Sequence, residues 1–147
     1  RVYEGDLESP IEKNRLGADG NEFKLEETGA FSAQFKYGAL NISFAVKGFH
    51  PVQLLVSSLV GSSCSLLKTI LEKKRIAFDT IHVEADVERN GKRVNKVTKI
   101  SLHYIVYEKD LNIKQVQKSL NIALEIAMIE SVKDSIEVVE TIEIREK

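Results

Sequence analysis

The segment from Pro51 to Arg75 is the one long stretch of the sequence that is apolar on almost every side of a helix. A helix of this kind has to be enclosed by protein or by lipid. Pro51 suits a first helical turn, and the basic residues at 73–75 suit the C-terminal end, where the helix dipole favours cations. The pattern therefore predicts a long, buried central helix.

Lipid is one candidate for that enclosure, because residues 48–67 carry no Asp, Glu, Lys or Arg and about 20 apolar residues span a bilayer. The segment also contains five serines between residues 57 and 65. Small polar residues at this density are unusual against lipid, whereas they let a second helix approach closely. We therefore expect a helix buried in protein and predict no membrane partner.

Strands are predicted before this helix. The first 30 residues are polar, with short extended stretches only at 2–3 and 22–25. Apolar and polar residues then alternate over 31–37 and again over 40–46. This pattern predicts two strands joined by a tight turn at Gly38.

A long hairpin is predicted after the helix. Alternation over 77–89 is followed by Asn90-Gly91, a strong signal for a two-residue type I′ turn. Such a turn pairs Arg89 with Lys92 and Glu88 with Arg93.

A second helix over 112–133 and a final strand over 136–144 complete the predicted order of elements. Strands, helix, hairpin, helix and strand in this order indicate an α+β fold, and the length suits a single domain, 1–147. A chain of this size has little material to cover a helix that is apolar on all sides. We therefore expect a homodimer.

Charge and cysteine content narrow the possible functions. The chain has 21 basic and 22 acidic residues, so it lacks the basic surface that nucleic acid or an anionic membrane requires. A single cysteine, Cys64, excludes an internal disulfide and suits a reducing compartment, so we expect a cytoplasmic protein. None of the common cofactor-binding or hydrolase motifs is present, and we predict no cofactor.

The histidines do not predict a metal site. Counted from the expected turn, His82 and His103 lie four residue pairs apart, or about 13 Å at the usual strand rise. That separation is too large for two ligands of one metal. We predict no metal.

The candidate chemistry lies in the middle of the central helix, in Gly61-Ser62-Ser63-Cys64-Ser65. Small side chains there suit close packing of a second helix or subunit, and buried cysteine often behaves as a small hydrophobe. The other interpretation is a nucleophilic or redox centre. The residues alone leave both open.

Three stretches together resemble the OsmC/Ohr superfamily of hydroperoxide-resistance proteins. PVQLLVSSLVGSSCSLLKTILEKKR is similar to that family's central helix, KISLHYIVYEKDL to its second hairpin strand, and ESVKDSIEVVETIEI to its C-terminal end. The resemblance implies an OsmC-like fold and an intertwined homodimer whose central helices pair. It also implies a stress-response function, the thiol-dependent reduction of organic hydroperoxides.

The resemblance further implies where the catalytic residues would stand. Ser62 occupies the position of the peroxidatic cysteine, and Cys64 comes two residues later, about 200° round the helix. The resolving cysteine falls at Ile126 when aligned backward from the C-terminal stretch and at Met128 when aligned forward. The family's glutamate falls at Gln53.

The family's activating arginine comes from an N-terminal loop. Arg1 and Arg15 are the only arginines before the central helix, and neither lies in a matching motif. The catalytic set is therefore substituted at several positions at once.

These substitutions predict an OsmC-like protein that has lost thiol peroxidase activity and binds a small apolar molecule at the dimer interface. The pocket would be lined by Ser62, Ser63, Gln53 and residues near Ile126 and Met128. The alternative is an organic hydroperoxide reductase that uses Cys64 with an external thiol. Lys68, one helical turn after Cys64, would then supply the nearby cation that a reactive thiolate needs.

Overall fold

A computed structural model describes residues 22–44, 48–91 and 96–146 of the chain. The chain divides into two compact units, Arg1–Gln53 and Leu54–Lys147. The described residues form two helices and two three-stranded sheets, which confirms the α+β prediction, while the single domain stays a prediction. The predicted strand at 2–3 and the arginines at 1 and 15 lie outside the described residues.

The first unit contains an antiparallel sheet. Its strands are β1 (Lys24–Leu25), β2 (Phe31–Phe35) and β3 (Gly38–Ile42), in that order across the sheet. Gly38 has φ 145°, a conformation in which a residue with a Cβ is strained, so glycine suits the turn into β3. The predicted pair of strands is confirmed, and residues 45–46 of the second predicted run lie outside the described residues.

The central helix, α1 (Pro51–Lys73), begins where predicted and ends two residues earlier. Its end is a Schellman motif, because the Ile76 N–H donates to the Leu71 carbonyl at 2.9 Å and the Arg75 N–H donates to the Glu72 carbonyl at 3.0 Å. Arg75 takes the left-handed conformation of this motif, with φ 58°, where glycine is usual.

Burial of α1 is confined to one face, so the prediction of a helix buried on every side is wrong for the single chain. The fully buried positions recur every four residues: Leu59, Ser63, Leu67 and Leu71. The three leucines form one core with the inward face of strand β5 (Lys96–Tyr107). The other apolar positions of α1 are partly exposed.

By length and mean hydropathy, which reaches 1.6, α1 would also be able to cross a membrane. One such helix is weak evidence, because the core helix of a soluble protein passes the same test. The serines of α1 noted above make lipid a poor surrounding.

The second unit has a mixed sheet, in which β5 lies between β4 (Thr80–Asn90) and β6 (Glu137–Arg145). β4 and β5 are antiparallel, whereas β5 and β6 are parallel. Parallel neighbours require a crossover. Helix α2 (Ile113–Ile126) and a 3₁₀ turn (Met128–Ser131) provide it.

The predicted second helix therefore ends sooner than expected. Asn112 caps α2, accepting hydrogen bonds at its Oδ1 from the backbone N–H of Lys114 at 2.9 Å and of Gln115 at 3.4 Å. At the other end, Ala127 is extended, with φ −83° and ψ 167°. The extended residue breaks the helix before the 3₁₀ turn, so apolar residues after 126 do not continue its face.

The hairpin is real, but its predicted register is wrong. Asn90 pairs with Lys96, Arg89 with Val97, and an irregularity follows Glu88, which pairs with Lys99. The predicted partners Lys92 and Arg93 lie outside the described residues. The observed register brings the most apolar part of β5, residues 100–106, opposite β4, whereas a two-residue turn would carry much of that part past the end of β4.

Candidate functional site

Ser62 on α1 and Met128 at the start of the 3₁₀ turn meet in the second unit. The Met128 backbone N–H donates to Ser62 Oγ at 3.0 Å. The first N–H groups of a helical turn have no partner within it, and Ala127 provides no side-chain cap. Ser62 therefore caps a turn that lies 66 residues further along the chain.

This contact brings together two of the positions inferred from the family resemblance. By that resemblance, Ser62 is expected at the peroxidatic position, and Met128 is one of the two candidates for the resolving position. Ile126, the other candidate, is the last residue of α2 and is 65% exposed. The sequence did not decide between residues 126 and 128 as the resolving position. Of the two, Met128 is the one that forms a hydrogen bond with Ser62.

Ser63 lies in the core rather than on the wall of a surface pocket. Its hydroxyl and the Tyr104 hydroxyl are 2.8 Å apart, and both residues are fully buried. Burial raises the pKa of Tyr104 to about 12. Ser63 therefore does not line the pocket predicted for it, and it serves instead as the partner of a buried tyrosine between α1 and β5.

Removing this hydroxyl is expected to destabilise the protein. Ser63→Ala leaves the Tyr104 hydroxyl buried without its partner, at a cost of about 1–3 kcal/mol in the free energy of unfolding. Tyr104→Phe should cost less, because the Ser63 hydroxyl still has the Val60 carbonyl at 3.3 Å.

The double variant Ser63→Ala/Tyr104→Phe removes both polar groups, so it should be more stable than Ser63→Ala alone. Urea denaturation of the four proteins measures this coupling. Strictly additive costs would contradict the hydrogen-bonded pair.

Cys64, about 200° round α1 from Ser62, borders an open groove of about 360 Å³. Lys68 and Phe78 also line the groove. Burial raises the pKa of the Cys64 thiol, an effect only partly offset by a hydrogen bond with Ser63. Lys68 forms an ion pair with Glu72 at 3.1 Å. The groove contains the cation that a reactive cysteine would need, yet the thiol is held in its protonated form.

Gln53 belongs to a capping box at the start of α1. Its Oε1 accepts a hydrogen bond from the backbone N–H of His50 at 3.3 Å, and His50 Nδ1 accepts one from the Val52 N–H at 3.3 Å. The spacing of an N-cap residue, a helix-starting proline and a glutamine three residues after the cap is visible in the sequence. It is the signal that would have predicted this structural role for Gln53.

The histidines of the hairpin lie closer together than predicted. In the observed register His82 pairs with Ile105, and His103 lies two residues before Ile105 on the same strand. The His82 ring packs edge-on against the Tyr107 ring, with 4.9 Å between the ring centroids. His103 Nε2 lies 2.7 Å from a Glu143 carboxylate oxygen. Within the described parts of the chain, no three His, Cys, Asp or Glu residues are grouped so as to hold a metal ion.

Comparison with known proteins confirms the family resemblance. The family model described as OsmC-like protein matches residues 44–141, which is more than half of the chain. No curated protein matches the sequence.

Solved structures share the fold at low sequence identity. A hypothetical protein from Aquifex aeolicus VF5 is 22% identical with a TM-score of 0.76, covering 86% of this chain and 95% of that one. An OsmC-like protein from Mycoplasma pneumoniae is 12% identical with a TM-score of 0.69, covering 85% and 94%. The organic hydroperoxide resistance protein OhrB of Bacillus subtilis is 16% identical with a TM-score of 0.55, covering 84% and 95%.

These identities show the fold alone, whereas the family model covers the sequence itself from the end of the first sheet into the last strand. The chain belongs to the OsmC-like protein family.

Proposed function

We propose that this OsmC-like protein lacks thiol peroxidase activity and, as a cytoplasmic homodimer, binds a small apolar molecule beside Ser62 and Met128. The observation that carries the proposal is the hydrogen bond from the Met128 N–H to Ser62 Oγ at 3.0 Å. It joins the position of the family's attacking sulfur to a candidate position of its resolving sulfur, and neither residue is a thiol.

Ser62 is a poor replacement for the attacking cysteine. A serine hydroxyl becomes nucleophilic when an adjacent base takes its proton. In the part of the chain that the structure describes, Ser62 Oγ accepts a hydrogen bond from a backbone N–H, a group that cannot take up a proton. Its role in capping the 3₁₀ turn supports a structural use of this position.

Cys64 is the nucleophile of the alternative function, a hydroperoxide reductase that works with an external thiol. Its place beside Lys68 in the 360 Å³ groove favours that alternative. Its pKa argues against it, because burial raises the pKa and leaves little thiolate at neutral pH. The ion pair between Lys68 and Glu72 further reduces the electrostatic stabilisation that Lys68 can give to a Cys64 thiolate.

Apolar binding is supported by exposed side chains in the C-terminal part of α2 and in the 3₁₀ turn that contacts Ser62. We name Ile122, Ile126 and Met128 the α2 end patch; they are 39%, 65% and 51% exposed. Large apolar side chains grouped on a surface often mark a binding site. The partly exposed apolar positions of α1 support a second copy of the chain as the partner of that helix.

Binding can be measured with the fluorescent apolar dye anilinonaphthalene sulfonate. Ile126→Glu should weaken dye binding about ten- to a hundredfold, because burying one aliphatic side chain contributes about 1.5–3 kcal/mol. Ile113→Glu is the matched control, since Ile113 is 43% exposed at the opposite end of the same helix. It should leave the dye affinity unchanged.

Equal dye affinity in the wild type and Ile126→Glu would contradict binding at the α2 end patch. Sedimentation velocity on the same samples separates the loss of dye binding from the loss of a dimer.

A further inference from the structure

A cluster of polar side chains lies on the outer face of the sheet in the second unit. The even-numbered residues 100–106 of β5 are buried in the core that contains α1, and successive side chains of a strand point to opposite faces. His103 therefore lies on the face turned away from α1. Its neighbour across the parallel ladder is Thr141, and Glu143 lies two residues further along β6. A second copy of the chain that covers α1 does not cover this face.

Thr141, His103 and Glu143 form a chain of hydrogen bonds, which we name the outer-face triad. His103 Nδ1 lies 2.6 Å from Thr141 Oγ1, and His103 Nε2 lies 2.7 Å from Glu143 Oε1. An ionised carboxylate only accepts hydrogen bonds, so Nε2 carries the proton of the neutral imidazole. Nδ1 is then an acceptor, and the Thr141 hydroxyl donates its hydrogen bond to it.

Arg145 holds the Glu143 carboxylate in place. Its guanidinium donates to both carboxylate oxygens, from Nε to Oε2 at 3.1 Å and from Nη2 to Oε1 at 2.9 Å. Its Nη1 donates to the Tyr107 hydroxyl at 3.3 Å. The hydrogen bonds from His103 and Arg145 lower the pKa of the Glu143 carboxyl. Glu143 is therefore ionised at neutral pH, which fixes the tautomer of His103.

This geometry is the one that activates a hydroxyl group. A hydroxyl becomes a nucleophile when it is hydrogen-bonded to a base that a third group orients, at distances of about 2.6–3.2 Å. Thr141 is exposed, and the side chains of His103 and Glu143 are 33% and 37% exposed. A substrate can therefore reach the Thr141 hydroxyl from solvent.

We propose that the outer-face triad hydrolyses small activated carboxylic esters, with Thr141 as the nucleophile and His103 as the general base. Thr141 Oγ1 bonds to the ester carbonyl carbon while His103 Nδ1 takes the hydroxyl proton. The bond between that carbon and the alcohol oxygen breaks, the alcohol leaves with the proton, and Thr141 carries the acyl group. The oxygen of a water molecule then bonds to the acyl carbon, and a water proton passes through His103 to Thr141 Oγ1. The carboxylic acid is released, and Glu143 stabilises the imidazolium formed in both steps.

The exposure of Thr141 limits the class of ester. Water, rather than a dry pocket with fixed donors, surrounds the oxyanion that develops on the carbonyl group, so the site gives that charge little stabilisation. We therefore expect cleavage of esters whose alcohol leaves easily, such as aryl esters, and no cleavage of simple alkyl esters.

The test incubates the full chain with p-nitrophenyl acetate, follows p-nitrophenolate release, and locates acetyl groups by peptide mass spectrometry after quenching with acid. The Thr141 peptide should carry an acetyl group. Release should exceed one equivalent per chain, because water frees the acetyl group. His103→Gln should slow the acetylation of Thr141 about 100-fold, a loss typical of removing a general base. Glu143→Gln should slow it about tenfold or more, because the imidazolium loses its neighbouring charge.

Conservative variants separate chemistry from folding. Thr141→Val keeps the size of an exposed side chain and removes the nucleophile, so it should release p-nitrophenolate about tenfold or more slowly. Thr141→Ser keeps the hydroxyl and should keep the activity. His82→Gln and Thr98→Val are matched controls, since His82 is exposed on the same face and Thr98 is exposed on β5. Both should react at the wild-type rate.

Two results would overturn the proposal. One is equal p-nitrophenolate release by the wild type and Thr141→Val, with acetyl groups on lysines alone. The other is equal acetylation of Thr141 in the wild type and in His103→Gln, with circular dichroism showing that the variant is folded. Release that stops at one equivalent per chain would contradict the hydrolytic step.

Discussion

Leu67→Ala is expected to lower the free energy of unfolding by about 2–5 kcal/mol, one of the largest stability effects available in this chain. Leu67 is fully buried on the face of α1 that packs against β5. Removing its side chain loses the burial of several methyl and methylene groups and leaves a cavity in the middle of the second unit's core.

Leu55→Ala makes the same change on the same helix at a partly exposed position. It should cost about 1 kcal/mol or less in urea denaturation, because much of that side chain remains in water. Equal costs for the two variants would show that α1 does not pack on β5 through the face described above.

The bounds of α1 were predictable because local chemistry sets them. Pro51 favours a first turn, and the basic residues near 73–75 favour a last one. The burial of α1 was not predictable. An apolar circumference shows that the helix must be covered, but it does not distinguish cover by its own chain from cover by a second copy.

The hairpin shows how a strong local signal misleads. Asn90-Gly91 predicts a two-residue turn, yet Asn90 pairs with Lys96. From Glu88 back to Thr80 the observed register differs from the predicted one by six residues, an even number, so both keep the apolar face of each strand inward. The alternation of apolar and polar residues therefore does not distinguish the two registers. Packing of residues 100–106 against β4 and α1 decided the register.

The candidate site was predicted in its residues but not in its contacts. Position counting named Ser62 and left Ile126 and Met128 open, since no glycine or proline marks the end of α2. The extended conformation of Ala127 ends the helix and presents the Met128 N–H to Ser62. A contact between residues 66 positions apart depends on tertiary packing, which helical periodicity does not report.

Catalysis is where the largest functional effect is expected. The purified protein should reduce organic hydroperoxides no faster than free cysteine does, with or without a dithiol reductant. Among the described residues no base is hydrogen-bonded to Ser62, Met128 and Ile126 provide no resolving thiol, and Gln53 caps α1 instead of holding an arginine by charge. Nucleophile, activating cation and orienting carboxylate act as a unit, so losing several together costs orders of magnitude in rate.

Restoring one member of the set should not restore the activity. Ser62→Cys is expected to form sulfenic acid slowly, because no second thiol stands at the resolving position to convert it to a disulfide. Rapid, repeated turnover by this single variant would show that the remainder of the catalytic set is intact.

Stopped-flow measurement of cumene hydroperoxide reduction, with dithiothreitol as the reductant, tests the loss of peroxidase activity most directly. The wild type and Cys64→Ser should both reduce the hydroperoxide at the rate of the reductant and free cysteine alone. Rapid turnover by the wild type that disappears in Cys64→Ser would contradict that loss and establish Cys64 as the nucleophile of a hydroperoxide reductase.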